Sequence, residues 1–184
     1  MTAAGQGNTS QGSTGQEGKG RTAFLALDFV TYIVDNFSHD DAVARHAADA
    51  LAAARAAGLP VIHVVPGPMR EQIHPLLAPA GDEPVLGKSS IGAFATTNLD
   101  ELLRESGVGQ LIVAGVATSG TVLSTTRWAA DIGYQVTVCA DACADPDPGA
   151  HAALLDESVF PQSWLGLWRI ARVLPAARIG ALAR

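Results

Sequence analysis

The chain is short of several things that would place it at once. Aromatic residues make up 5% of its 184 positions, and there are two cysteines, Cys139 and Cys143. Two thiols cannot staple a domain of this length, so a reducing, cytoplasmic setting is the simpler expectation. Basic residues are scarce as well: 12 Lys and Arg stand against 18 Asp and Glu, for a net charge of −6, with no basic run. Such a surface does not suit nucleic acid or an anionic membrane. No apolar run reaches the roughly 18 residues that a membrane span requires. The opening stretch MTAAGQGNTSQGSTGQEGKG lacks the hydrophobic region of a secretory signal. It is too rich in Gly, Ser, Thr and Gln to bury surface that would offset ordering entropy. Residues 1–20 are therefore expected to be a disordered tail, and residues 21–184 a single domain.

What is present is a compact, Ala-rich composition, 48% hydrophobic, in which short β-like runs alternate with longer helical ones. TAFLALDFV reads as a strand, and HDDAVARHAADALAAARAAG as a helix that opens with acids and closes at Gly58. LPVIHVV is a second strand. Residues 66–98 form a long connection rich in Pro and Gly, and a connection of that length in a compact domain is usually functional. LDELLRESG is a short helix, QLIVAGVA a third strand, and TVLSTTRWAADIG a helix closed by Gly133. YQVTVCA, PGAHAALLDESVF and LGLWRIARVL follow as strand, helix and last strand. Strands that are apolar throughout and separated by helices imply a parallel sheet covered on both faces. In such a sheet, functional residues converge where the carboxyl ends of the strands meet the loops.

Three features lie at those ends. Asp28 closes the first strand inside FLALDFV. A carboxylate there can be a surface cap, but these neighbours enclose it, and an enclosed acid needs a partner or a raised pKa. Lys88, beside a glycine in VLGKSS, is the candidate cation, although an isolated lysine is more often simply solvated. The turn Gly115-Val116-Ala117-Thr118-Ser119-Gly120-Thr121 puts several backbone N–H groups near a helix start, where an anion or a developing oxyanion can bind. Many α/β proteins share a turn of that kind.

The combination is more specific than its parts. Asp28, Lys88 ahead of SSIGAF and TNLDELL, and LIVAGVATSGTVLSTTRWAADIGYQVTVCADACAD together resemble the isochorismatase-like hydrolase superfamily. That group includes isochorismatases and cysteine hydrolases such as nicotinamidases and N-carbamoylsarcosine amidases, and the resemblance runs from Thr22 to Phe160. It implies a three-layer α/β/α fold around a mostly parallel sheet of about six strands. It places a catalytic Asp at Asp28 and a catalytic Lys at Lys88. The family's cis peptide, which shapes an oxyanion hole, falls at Val116-Ala117, with the backbone of Ala117 and Thr121 as donors and Gly120 inside the turn.

The chain departs from the amidase branch at Thr121, where that branch carries its nucleophilic Cys. Cys139 and Cys143 lie elsewhere and read as inert. A thiol is readily brought to its thiolate near neutral pH, whereas a threonine hydroxyl relies on a terminal amine. The isochorismatase precedent dispenses with the nucleophile: Asp28 protonates a vinylic carbon and water adds to the oxocarbenium-like centre. Asp28 then needs a raised pKa while Lys88 pulls it down. His39, His46, His63, His74 and His151 lack the Asp-x-His spacing of the metal-binding nicotinamidases, so no metal and no cofactor is expected. Phe94, Tyr32, Phe37 and Trp128 are candidates for an apolar substrate pocket, or else core or interface. Arg127 reads as a surface or subunit contact.

Three functional readings follow. One is a small-molecule hydrolase that works by Asp/Lys acid–base chemistry, on a vinyl ether or a related bond. Another is a cysteine amidase whose nucleophile has been replaced by Thr121 to trap substrate. The third is a catalytically silent binding or scaffold protein. A homodimer or homotetramer is expected, with Trp128, Trp164 or Trp168 partly buried between subunits.

Overall fold

A computed structural model describes residues 20–182, so the expected tail lies, apart from Gly20, outside the described residues. The first strand, β1 (Arg21–Leu27), is buried from Ala23 onward, as a strand covered on both faces must be. It is joined by β2 (Val61–Pro66), β3 (Val85–Lys88), β4 (Val108–Val116), β5 (Gln135–Ala144) and β6 (Arg172–Leu174). All neighbouring pairs are parallel, in the order β3-β2-β1-β4-β5-β6.

Six α-helices accompany the sheet among the described residues: α1 (Thr31–Phe37), α2 (Val43–Ala56), α3 (Leu99–Glu105), α4 (Leu123–Asp131), α5 (Pro148–Leu155) and α6 (Ile179–Leu182). One face of the sheet packs Leu25, Leu27, Ile62 and Val64 with Leu99 and Leu103 of α3 and Ala129 of α4. The other packs Phe24, Ala26, Val61 and Ile112 with α2 and Ile179. The result is a three-layer α/β/α arrangement. Val43, Ala44, Ala47, Ala50, Leu51 and Ala54 recur at helical spacing and form the buried stripe of α2. Four of those six are alanines, which lets the helix lie close over β1 and β5. No helix among the described residues is long and apolar enough to cross a membrane.

Several sequence expectations need correction. The long connection is not wholly irregular, because β3 lies inside it; VLGK is too short and too mixed in burial to show a period. The expected last strand shrinks to Arg172–Leu174. Leu167–Arg169 is a 3₁₀ turn in which the Trp168 indole folds over Gly166 and takes the space of a side chain there. Helix α5 ends at Leu155 rather than Phe160, and α1 stands where no element was read. Strand β5 runs on to Ala144, with an irregularity opposite Val113 and Gly115.

The long connection is pinned by Glu83. Arg55 donates to it at 2.8 and 2.7 Å, the Ala80 amide at 3.0 Å and His63 Nε2 at 3.1 Å. Burial alone would raise the Glu83 carboxyl, but those donors outweigh it and hold the group at about 2. A depressed folded pKa stabilises above the ordinary glutamate range, and that stabilisation is lost as pH falls through about 2. Glu83→Gln is therefore expected to unfold more easily in urea at pH 7, by on the order of 1–3 kcal/mol. The gap from the parent chain should close progressively below pH 4. An equal gap at all pH values would contradict this account.

Candidate active site

The chain steps outward from β1 to β2 and β3, then returns to place β4 on the other side of β1. The carboxyl ends of β1 and β4 therefore flank the crevice where strand order reverses, the usual ligand position in such sheets. The two strands approach each other tightly. A Cβ at Gly115 would lie 2.7 Å from both the Cβ and the carbonyl oxygen of Leu27, so only glycine fits.

Asp28 leaves β1 at that crevice with φ of +56°, a left-handed conformation that Asp tolerates better than most residues. Its amide donates to the Val64 carbonyl at 2.9 Å, and its own carbonyl accepts from Val30 at 2.7 Å. Lys88 ends β3 opposite Pro66, and its side chain reaches past the end of β2. Its Nζ lies 2.8 Å from Asp28 Oδ2 and donates to the carbonyls of Ile91 at 2.5 Å and Ser90 at 3.3 Å. All three ammonium protons thus have acceptors. Asp28, Lys88 and Thr121 retain 6%, 5% and 2% of their surface. Burial raises the Asp28 carboxyl above its ordinary value; the Lys88 charge and hydrogen bond, and more weakly the Thr121 hydroxyl, offset part of that rise. The Thr121 hydroxyl lies near enough to bias Asp28 without forming a hydrogen bond of ordinary geometry, so Asp28 Oδ1 and Thr121 Oγ1 are both buried without a partner among the described residues.

The Val116–Ala117 peptide is cis, and Thr118–Val122 forms a single π turn that runs into α4. Side chains hold this turn from outside: Ser119 N–H donates to Asp145 Oδ2 at 2.7 Å, and Thr118 Oγ1 lies 2.8 Å from His151 Nδ1. Gly120 is not crowded, since the nearest atom to a Cβ there would be Ala117 Cβ at 3.9 Å.

Other candidates are placed elsewhere. Phe94 is spent on the core, its ring stacked on Tyr134 with centroids 6.1 Å apart. Tyr32, Phe37 and Trp128 are exposed. Arg127 donates to the carbonyls of Trp164 and Leu165, tying α4 to the segment after α5. Both cysteines are free and buried; burial pushes Cys143 up to about 12 and Cys139 higher still. His63 serves Glu83. Among the described residues no three His, Cys, Asp or Glu side chains are grouped to hold a metal. The Asp145–His151–His39 group behind the turn had no sequence signal, because its members share no local spacing.

The Isochorismatase domain model matches residues 22–164. The secreted isochorismatase effector Isc1 of Verticillium dahliae is 36% identical over 113 residues, 55% of this chain and 60% of that protein. The isochorismatase family protein YddQ of Bacillus subtilis is 30% identical over 139 residues, 67% of this chain and 77% of that one. The aligned parts thus span between about three fifths and three quarters of those two relatives. An isochorismatase family protein from Burkholderia thailandensis superposes with a TM-score of 0.74 at 27% identity, covering 90% of this chain and 98% of the other.

The Asp28–Lys88 geometry sets an expected titration. A raised folded pKa means that ionised Asp28 costs stability, so stability declines as pH rises from the ordinary Asp range through the folded value. Lys88→Met removes the larger opposing influence. The ¹³C signal of the Asp28 carboxyl should then titrate at a higher pH in the variant than in the parent chain. An unchanged or lower midpoint would show that the pair is not coupled.

Proposed function

The chain belongs to the isochorismatase family, whose members are hydrolases, and on that premise we propose that it cleaves a small enol ether by proton transfer from Asp28, without a covalent nucleophile. The observation that carries this is Asp28 itself: a buried carboxyl biased toward its protonated form, with Oδ1 unpaired beside an unpaired Thr121 hydroxyl. A general acid requires that bias, and here burial outweighs the Lys88 charge that would lower the carboxyl. Thiol chemistry has no support, since neither cysteine lies in the turn and burial disfavours both thiolates.

In the proposed reaction the Asp28 proton passes to the terminal vinylic carbon, and the C=C electron pair forms the new C–H bond. Water adds to the oxocarbenium carbon, and its surplus proton returns to the Asp28 carboxylate. The resulting hemiketal expels the alcohol, its hydroxyl proton passing to the leaving oxygen, and a carbonyl product remains. Lys88, with every donor occupied, holds Asp28 and tunes its proton affinity. The backbone N–H groups of Ala117 and Thr121 orient the substrate's anionic group. The pair of free, buried thiols favours a cytoplasmic setting.

Turnover of isochorismate and simple enol ethers, set beside nicotinamide and small ureas, tests the assignment. Reaction in D₂O is expected to leave one deuterium on the protonated carbon. Asp28→Asn should lower kcat/KM by about 10²–10⁴, while Thr121→Val should stay within about tenfold, the worth of one hydrogen bond. Amide hydrolysis with a covalent adduct on residue 121 would overturn the proposal.

We also propose a homodimer or homotetramer. Trp128 and Trp164 remain 46% and 75% exposed, and Arg127 brings their two segments together. Light scattering at micromolar concentration should give a multiple of the 18.9 kDa chain mass, reduced by Trp164→Ser. A monomer mass for the parent chain would reject the assembly.

A further inference from the structure

Behind the turn, away from Lys88, lies a second group of polar side chains that the proposed chemistry does not use. Asp145, at the end of β5, accepts Ser119 N–H on one carboxylate oxygen and Asp147 N–H, at 3.2 Å, on the other. Asp147 caps α5, accepting from Gly149 at 2.7 Å and Ala150 at 3.3 Å. That cap fixes the helix that carries His151, whose Nδ1 meets Thr118 Oγ1. His39, on the link between α1 and α2, completes the group: its amide and Nδ1 lie 3.0 and 2.7 Å from the Asp145 carbonyl. Its ring stands edge-on to His151, with centroids 5.3 Å apart.

Two of these contacts end on the turn itself, at Thr118 and Ser119, between the Val116–Ala117 peptide and Thr121. We propose that His151 is a positioning residue for this turn, and that proton uptake at its ring is transmitted through Thr118 to the backbone of Ser119–Thr121. Thr118 has no exposed surface. In the Nε2–H tautomer of neutral His151, Nδ1 accepts the Thr118 hydroxyl proton. Once the ring takes up a proton, Nδ1 becomes a donor, and the hydroxyl must accept and send its own proton elsewhere within a closed site. Reversal turns the hydroxyl about its Cβ–Oγ bond and leaves its proton without a second partner among the described residues, a cost that a shift of Thr118, and with it the turn, relieves.

The charges around His151 set the pH at which this happens. Burial lowers its proton affinity most and His39 lowers it further, while Asp145 and Asp40 raise it. Asp147 caps its own helix, and Asp141, farther back on β5, is engaged by the Ala176 amide. Arg169, on the turn packed against α5, has its guanidinium taken up by the Pro161 and Ser163 carbonyls. The net effect keeps His151 neutral at neutral pH, so proton uptake falls below the ordinary histidine range. A depressed histidine costs stability when it protonates, and that loss appears as pH falls through the folded value.

This coupling does not depend on which bond the enzyme cleaves, so its test needs no substrate. NMR titration of the labelled full chain should show the Ser119, Gly120 and Thr121 amide signals shifting with the midpoint of the His151 imidazole nitrogens. The Asp28 carboxyl signal supplies its own separate midpoint. In Thr118→Val, His151 should still titrate, but its midpoint should vanish from the three amides. In His151→Asn, which keeps a hydrogen-bonding atom near the place of Nδ1 but takes up no proton, that midpoint should vanish as well. Amides that ignore His151 in the parent chain, or that keep its midpoint in either variant, would overturn the proposal.

Discussion

The crevice at the carboxyl ends of the central strands depends on one buried ion pair. Asp28 and Lys88 belong to strands that are not neighbours, so their contact spans the end of β2 and fixes the spacing of three strands. Two charges removed from water carry a large desolvation penalty, which their mutual attraction offsets only when the remaining donors and acceptors are also matched. Lys88 is fully matched, because it also gathers the carbonyls of Ser90 and Ile91 and so closes the loop after β3 over the site. Asp28 is not, since one oxygen remains unpaired. The unmet hydrogen-bonding capacity of the pair therefore lies on the carboxylate.

The opposing wall is organised differently. The turn after β4 has no charge of its own. It is held by a hydrogen bond to Asp145, at the corner between β5 and α5, and another to His151 on α5. One wall is thus set by charge and the other by directional bonds to backbone and hydroxyl. Both stand on the central strands β1 and β4, whose carboxyl ends are buried. A rigid base of this kind lets loops from distant parts of the chain meet within hydrogen-bonding distance.

Much of this was readable in the residues themselves. Asp28 sits in an apolar run, which announces burial and therefore a partner, and Lys88, beside a glycine in the long connection, was the candidate cation. The resemblance supplied the layered fold. Local pattern failed where contact outweighs composition. VLGK becomes a strand because β2 offers an edge to pair with. LGLWRIARVL is interrupted because Trp168 folds back over Gly166. Phe94 joined the core because Tyr134 was there to stack on. The His39–His151 contact is made by segments at opposite ends of the domain, and no periodicity can report such a meeting.

The tight seam at Gly115 has a consequence for how this protein can change. A side chain at that position would wedge apart the two strands that carry the acid and the turn, so the floor of the crevice is closed to gradual variation. Change is easier to accommodate at exposed side chains such as Ile91, whose backbone carbonyl would still hold Lys88, than at the seam. The same asymmetry would guide redesign: new specificity belongs in the loops, and the central strands should be left alone.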